Sequence, residues 1–144
     1  MTDVRAVPTD VPPQPVPDAD TVGYWDALAG GALALCRCDG CRAWMHPPLE
    51  RCRACGARTR FEPVSGDGTV AGFIVMHRAS VPGLGGGPHV IALVDLDDAP
   101  GVRLSGRLVA VPSDVRVGAR VGTRVVAVPG GSFHQPEFAL ARGE

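Results

Sequence analysis

Residues 38–56, CDGCRAWMHPPLERCRACG, decide the fold of the first half of the chain. Cys38 and Cys41 form one C-x-x-C pair, Cys52 and Cys55 form a second pair, and ten residues separate the two. This spacing is typical of a zinc ribbon, in which two tight turns each present two thiolates to one tetrahedral ion. Four thiolates close the shell and leave no position for water, so we expect these four cysteines to bind a structural zinc ion.

Two alternatives stay open for the same thiolates. A single iron ion takes the same geometry in rubredoxin-like electron carriers, and the ligand type alone does not exclude it. Disulfides require an oxidising compartment, but residues 1–5 lack the basic and apolar profile of a signal peptide. We therefore expect reduced thiols in a cytoplasmic protein. Cys36, the fifth cysteine, is interpreted as a small half-buried hydrophobic residue rather than a reactive nucleophile.

The composition limits the classes of function. With 144 residues and 45% hydrophobic content, the chain can form one small core and a module held by a metal. No apolar run approaches the roughly 20 residues that a membrane-spanning helix needs, so membrane insertion is not expected. The chain contains no lysine, which excludes Schiff-base chemistry, and its near-neutral charge includes no basic tail of the kind that follows nucleic acid.

The ribbon segment is locally basic. Six arginines surround the cysteines: Arg37, Arg42, Arg51, Arg53, Arg58 and Arg60. Because four thiolates on one zinc ion leave a net charge of about −2, we interpret these arginines mainly as counter-charges of the metal centre. The alternative is that some of them face outward and bind an anion or an acidic partner surface.

The sequence predicts three segments and a mainly β fold. Residues 1–17 carry five prolines, which block helix and ladder pairing and predict an extended arm. Residues 18–63 contain a short helix, capped by Asp20 or Thr21 and stopped at Gly30-Gly31, and then the ribbon. Residues 64–144 contain five predicted strands at 69–77, 90–96, 102–110, 120–128 and 132–138. Five antiparallel strands in this length predict an OB-fold barrel, with a small open sandwich as the alternative.

The order of motifs is similar to that of a known family. Tyr24-Trp25-Asp26-Ala27-Leu28 precedes the ribbon, and Ser65-Gly66-Asp67-Gly68-Thr69-Val70 and Val75-Met76-His77-Arg78 follow it. With the closing Phe133-His134-Gln135-Pro136, these motifs resemble, over about residues 18–138, the acyl-CoA-associated proteins that combine a rubredoxin-like zinc ribbon with an OB-fold, the domain of unknown function thirty-five. The resemblance implies a non-catalytic accessory subunit with a zinc cofactor.

The same resemblance implies a class of partner. Members of the family bind thiolase-fold enzymes, including thiolases and steroid side-chain retro-aldolases, or hot-dog-fold enoyl-CoA hydratases of lipid metabolism. Such a subunit docks on its enzyme and completes or shields the acyl-CoA pocket, and an assembly of two enzyme and two accessory chains is expected. We expect acyl-CoA or partner contacts at His77, Arg78, Gly85, Gly86 and Phe133. Phe133 and Phe138, both in the C-terminal segment, are expected to be exposed aromatic anchors.

The residues themselves offer little for independent catalysis. The four histidines form no recognisable triad with a nucleophile, and the chain contains no G-x-S-x-G motif. His77 and His89 are predicted at one rim of the barrel, on either side of the glycine-rich loop 83–87. That loop is interpreted as a segment that orders on a partner, with a phosphate-binding nest as the alternative.

A second function from a different class is single-stranded nucleic-acid binding, which OB-folds often perform through aromatic platforms and a basic groove. In the first four predicted barrel strands Phe73 is the only aromatic residue, and no dense arginine stripe follows residue 65. The composition therefore favours the accessory-subunit hypothesis over the nucleic-acid one.

Overall fold

The computed structural model describes residues 11–78, 83 and 87–142. Gly85 and Gly86, like most of the glycine-rich loop, lie outside the described residues. The elements in chain order are α1 Val22–Ala29, β1 Ala34–Cys38, β2 Trp44–Met45, β3 Thr59–Pro63, β4 Gly68–Met76, β5 His89–Leu96, β6 Arg103–Val109, β7 Arg120–Ala127 and β8 His134–Leu140. A single turn of 3-10 helix at Pro112–Asp114 links β6 to β7. In this part of the chain, no helix has the length and apolar character needed to span a membrane.

Helix α1 is held at both ends by local hydrogen bonds. Thr21 is the N-cap residue, as expected, but its own side chain makes no capping bond. Instead the Oδ1 atom of Asp18 accepts hydrogen bonds of 2.9 Å from both the N–H and the hydroxyl of Thr21. The helix ends at Gly30, whose N–H donates to Asp26 and Ala27, and Gly31 follows at φ +87°. Helix α1 is short, so its stability depends on packing against other elements.

The ribbon is a three-stranded antiparallel sheet in the order β2-β1-β3. Its central strand is buried on both faces, as Leu35 and Cys36 are both almost fully inaccessible. Cys36 is therefore more deeply buried than the half-buried position expected for it, and its Sγ lies 3.4 Å from the carbonyl oxygen of Leu49. The sheet holds the two cysteine turns together, one after β1 and one before β3.

The remaining strands pair in a ring, β4-β5-β6-β8-β7 and back to β4. The β6–β8 pairing is parallel and the other four pairings are antiparallel. This confirms the predicted OB-fold, but the expectation that all five strands pair antiparallel was wrong for β6 and β8. Strand β8 starts two residues later than expected and continues to Leu140, because Leu140 pairs with Val121 while Ser132 and Phe133 belong to the preceding turn.

The barrel core shows where a sequence-based expectation was wrong. Phe138 is not an exposed anchor: it has no accessible surface and is the largest fully buried side chain among the described residues. Its position in β8 places it opposite Leu108 of β6 and Thr123 of β7. A Cβ atom at Gly106 would lie only 3.0 Å from the Phe138 ring, so this glycine leaves the space that the ring fills.

Candidate functional site

The four cysteines of the two C-x-x-C pairs lie together at the end of the ribbon. Their Sγ atoms are all within 4.8 Å of one another. Cys38 and Cys55 are 3.4 Å apart at sulfur, and Cys41 and Cys52 are 3.6 Å apart. A tetrahedral ion with metal–sulfur bonds of about 2.3 Å requires sulfur–sulfur separations of about 3.8 Å. The donor set and its spacing therefore fit a four-thiolate metal centre.

Backbone N–H groups donate hydrogen bonds to one cysteine sulfur in each turn. The N–H groups of Gly40 and Cys41 point at the Cys38 sulfur, at 3.2 and 3.3 Å, and the N–H of Ala54 points at the Cys52 sulfur, at 3.3 Å. Such bonds stabilise negative charge on a thiolate and orient it for a metal. Gly40 is required by packing, because a Cβ there would lie 2.9 Å from the Cβ of Ala57 and 3.4 Å from the sulfur of Cys55.

The same contacts divide the thiols into two kinds. Burial raises the pKa of Cys38, but hydrogen bonds from the Cys41 amide, the Cys55 thiol and the Gly40 amide outweigh it and lower the pKa to about 6. The amides of Cys55 and Ala54 lower the pKa of Cys52. The Ala43 amide lowers the pKa of Cys41, yet neighbouring Cys38 and Cys52 raise it to about 11. Each turn thus offers one sulfur that is readily deprotonated.

Three of the six ribbon arginines are paired with carboxylates. Glu62 accepts from Arg37 at 3.1 Å and from Arg42 at 2.8 Å, while Arg60 lies 2.9 Å from Asp39. Burial raises the pKa of Glu62, but hydrogen bonds from Arg37 and Arg42 lower it below the ordinary value. The Arg37 guanidinium also lies over the Trp44 ring, 4.5 Å from its centroid. These arginines are engaged within the ribbon.

The other three arginines are arranged differently. Arg51 and Arg58 face each other across an isolated antiparallel bridge, and both are exposed, as is Arg53. Within residues 11–78, 83 and 87–142, none of the three forms an ion pair. These three arginines face solvent, and binding of an anion or an acidic partner by them stays a prediction.

The expected acyl-CoA or partner contacts are spread over two turns. His77 and Arg78 are exposed immediately after β4, whereas Phe133 lies half-buried in the β7–β8 turn. The ring of Phe133 packs edge-on against Trp25, with centroids 5.9 Å apart. His89 is opposite Met76 in the β4–β5 pairing and is buried, unlike exposed His77. Among the described residues neither ring nitrogen of His89 has a hydrogen-bond partner.

A cavity of about 540 Å³ lies on the outer face of the barrel, and sequence reasoning missed it. We call it the outer cleft; its lining comes from the chain before α1, from α1 and from the barrel strands, and includes Pro12, Pro13, Tyr24, Trp25, Ile91 and Arg107. The lining residues are far apart in sequence, so no local motif marks them. The only sequence signal is Pro129-Gly130-Gly131, whose two glycines leave the β7–β8 turn without side chains at their positions.

Two family models match consecutive parts of the chain. Residues 25–62 match the model described as ChsH2, rubredoxin-like zinc ribbon domain, and residues 61–128 match the model described as ChsH2, C-terminal OB-fold domain. The resemblance inferred from the sequence is confirmed.

Two curated relatives and one solved structure extend this result. The chain is 34% identical over 136 residues to the 3-oxo-4,17-pregnadiene-20-carboxyl-CoA hydratase alpha subunit of Mycobacterium tuberculosis, covering 90% of this chain and 42% of that protein. It is 35% identical over 88 residues to a DUF35 domain-containing scaffold protein of Methanocaldococcus jannaschii, covering 59% of this chain and 61% of that protein. The chain thus spans less than half the length of the hydratase subunit that it matches. A solved structure named Ltp2-ChsH2(DUF35) aldolase matches with a TM-score of 0.81 and 27% identity, over 90% of this chain and 100% of that chain.

Proposed function

The chain belongs to the ChsH2 family of zinc-ribbon and OB-fold proteins (DUF35), and from this membership we propose that it is a non-catalytic accessory subunit of an acyl-CoA enzyme. The proposed partner is a thiolase-fold enzyme, such as a thiolase or a steroid side-chain retro-aldolase, or an enoyl-CoA hydratase. The accessory chain docks on that enzyme in the cytoplasm and helps to form or shield its acyl-CoA pocket.

One observation carries this proposal. The same ribbon and barrel unit is matched in a protein named as a hydratase subunit and in a structure named as an aldolase. Hydration and carbon–carbon cleavage require different catalytic groups, so what the two proteins share is better explained by docking and pocket formation than by shared chemistry. A relative named as a scaffold protein supports the same conclusion.

We propose that the metal is zinc and that Cys38, Cys41, Cys52 and Cys55 hold it. A closed four-thiolate shell supplies no open position for substrate or water, so the ion contributes stability rather than catalysis. It joins the turn after β1 to the turn before β3, and thereby fixes the end of the ribbon. The role is structural, and the residues around it orient the sulfurs.

The docking surface that we favour combines exposed apolar and charged groups. On the outer face of β4, β5 and β6, Ile74, Leu93 and Val109 are each at least two-fifths exposed, at 59%, 44% and 43%. His77 and Arg78 continue from the end of β4. Apolar surface bounded by polar residues is typical of a protein interface. An assembly of two enzyme and two accessory chains would bury two such faces.

The test is a pull-down of the full-length tagged chain from cells that express it, at low salt, with mass spectrometry of what co-elutes in a fixed ratio. Recovery of a thiolase-fold enzyme or a hydratase, followed by loss of its activity when the accessory chain is removed, supports the proposal. Nuclease-sensitive recovery of ribosomal or other nucleic-acid complexes overturns it in favour of OB-fold nucleic-acid binding.

A further inference from the structure

Two arginines beside the second cysteine turn of the ribbon face each other without a counter-charge between them. Arg51 and Arg58 are directly opposite in an isolated antiparallel bridge, and both are exposed. Within the described part of the chain neither belongs to an ion pair. Side chains that are directly opposite in an antiparallel pair project from the same face, with Cβ atoms about 5 Å apart, so two like charges there repel each other. An anion between the two guanidinium groups would relieve that repulsion.

The metal centre does not engage these arginines directly. Its sulfurs accept hydrogen bonds from the backbone N–H groups of Gly40, Cys41 and Ala54. Over residues 11–78, 83 and 87–142, no arginine side chain donates a hydrogen bond to any of the four sulfurs. The ribbon arginines that do form ion pairs form them with carboxylates. Arg51 and Arg58 are therefore held neither by a sulfur nor by a carboxylate of the described chain.

The two arginines line a cavity of about 400 Å³ between the second turn and the start of α1. We call it the ribbon cavity. Leu49 and Phe61 contribute apolar surface to its lining. On the helix side, the Oδ1 atom of Asp20 accepts a hydrogen bond of 2.9 Å from the N–H of Glu50, which ties the start of α1 to the ribbon. The ribbon cavity therefore offers two guanidinium groups next to apolar surface.

The other charges of the lining indicate which anion fits. Asp20 and Glu50 also line the ribbon cavity, and among the residues that the structure describes neither forms an ion pair. A phosphate group, with a charge of about −2, would be repelled by these two carboxylates. A protein carboxylate carries a single charge, brings methylene groups that pack on Leu49 and Phe61, and comes with neighbouring side chains that can present a basic group to the two acids. The mixed charges are thus complementary to a protein surface rather than to a small polyanion.

We propose that the ribbon cavity is a docking site for an acidic segment of the partner enzyme, in which an Asp or Glu carboxylate binds between Arg51 and Arg58. The identity of that partner, an acyl-CoA enzyme, rests on the proposed function. Guanidinium groups bind carboxylates through two parallel hydrogen bonds, and charge complementarity of this kind sets the orientation and the rate of association. The four-sulfur cluster holds the turn between the two arginines and so keeps them opposite each other.

The main test measures the affinity of the full-length chain for the enzyme that it recovers in the pull-down. The double variant Arg51→Glu and Arg58→Glu should weaken the complex about tenfold or more at low salt, and the difference should shrink as the salt concentration rises. The matched control is Arg116→Glu with Arg142→Glu. These two arginines are also exposed, have no ion pair in the described chain and line a different cavity, and their replacement changes the net charge equally.

A milder variant separates docking from a role at the metal centre. Arg51→Gln with Arg58→Gln removes the repulsion without adding negative charge, so the isolated chain should keep its zinc content and melt at an equal or slightly higher temperature. Its complex with the enzyme should still be weaker than that of the unaltered chain. A loss of binding that follows a loss of zinc would assign the arginines to the metal centre instead. Unchanged affinity, or an equal loss in the Arg116 and Arg142 control, would also overturn the proposal.

A second measurement does not depend on the identity of the enzyme. The Nε–H resonances of Arg51 and Arg58 are followed while the unaltered chain is titrated with a synthetic peptide of alternating Glu and Leu residues, and separately with inorganic phosphate. The peptide should shift these two resonances and leave those of Arg116 and Arg142 in place. Absence of a selective shift, or tighter binding of phosphate than of the peptide, would overturn the proposal. If the pull-down recovers no acyl-CoA enzyme, the proposed function fails, whereas the peptide titration still decides whether the ribbon cavity binds carboxylates.

Discussion

The rings of Trp25 and Phe133 meet edge to face, with centroids 5.9 Å apart and planes inclined at 80°. Trp25 belongs to α1, which precedes the ribbon, and Phe133 belongs to the turn that leads into β8. The contact therefore joins the helix to the barrel across more than a hundred residues of sequence. It also explains why Phe133, expected to be an exposed partner contact, is only half exposed.

We predict that this pair is energetically coupled. Trp25→Ala and Phe133→Ala should each destabilise the protein, and the double variant should lose less than the sum of the two by about 0.5–1.5 kcal/mol, the usual value for an edge-to-face pair. Urea unfolding of the four proteins measures this. Phe133→Leu, which keeps apolar area but loses the ring, serves as control, and strictly additive losses would show that the rings do not interact.

Removal of one metal ligand should abolish metal binding. Cys41→Ser is expected to lower the zinc content from about one ion per chain to near zero and to unfold the ribbon, since structural zinc sites supply folding free energy directly. Elemental analysis and thermal melting measure both effects. Cys36→Ser is the control, because Cys36 is buried in β1 outside the four-sulfur cluster. Full zinc content in Cys41→Ser would contradict the assignment, and iron in place of zinc would correct it.

A methyl group should destabilise the protein at one glycine of β4 and have little effect at another. At Gly68 a Cβ atom would lie 2.5 Å from the carbonyl oxygen of Asp95 and 2.6 Å from Cγ1 of Val94, so Gly68→Ala should cost about 1–3 kcal/mol of stability. At Gly72 nothing lies within 4 Å, so Gly72→Ala should be nearly neutral. Chemical denaturation measures the difference. Equal losses would show that the β4–β5 pairing is not as tight at Gly68 as described.

Protonation of His46 should lower the stability of the folded protein on mild acidification. The ring of His46 packs 5.9 Å from that of Tyr24, and burial lowers the pKa of His46 below its ordinary value of 6.5. A lowered pKa means that the folded state binds the proton less readily than the unfolded state. The contribution of neutral His46 to the free energy of unfolding is therefore fully present above pH 6.5. It is lost as the pH falls through the lowered pKa of this residue.

The measurement is the unfolding free energy of the unaltered protein and of His46→Gln between pH 7.5 and the onset of metal release. Both proteins share the same cysteines, so the difference between the two curves isolates His46. The difference should shrink as the pH decreases. Parallel curves would show that His46 does not contribute to the pH dependence.

Arg78 provides a test of the proposed acyl-CoA contact. In the assembled complex with its enzyme, Arg78→Ala should raise the KM for acyl-CoA by about tenfold if the guanidinium holds a phosphate of the substrate, since a hydrogen bond to a charged group contributes about 1.5–3 kcal/mol. Arg116→Ala, another exposed arginine, is the control. An unchanged KM with normal complex formation would remove Arg78 from the pocket.

Local patterns were sufficient to predict most of the architecture. The C-x-x-C spacing indicated which four sulfurs meet, because each pair lies on one tight turn and a tetrahedral ion accepts two such turns. The alternation of apolar and polar residues between turn residues predicted the five barrel strands to within about two residues at most ends, because side chains of a strand alternate between core and solvent. The family resemblance rested on the order of these same local motifs.

What only the tertiary structure decided depends on contacts between distant segments. The burial of Phe138 follows from its register against β6 and from the space left by Gly106, neither of which is visible in its neighbours along the chain. The division of the ribbon arginines into paired and outward-facing sets depends on where Glu62 and Asp39 lie after the sheet has formed. The side chain of Gln14 donates a hydrogen bond to the carbonyl oxygen of Pro129 because the barrel closes and brings the β7–β8 turn to it. Sequence periodicity predicts whether a residue faces the core or the solvent from its own helix or strand. The residue that packs against it comes from a distant part of the chain, which periodicity does not identify.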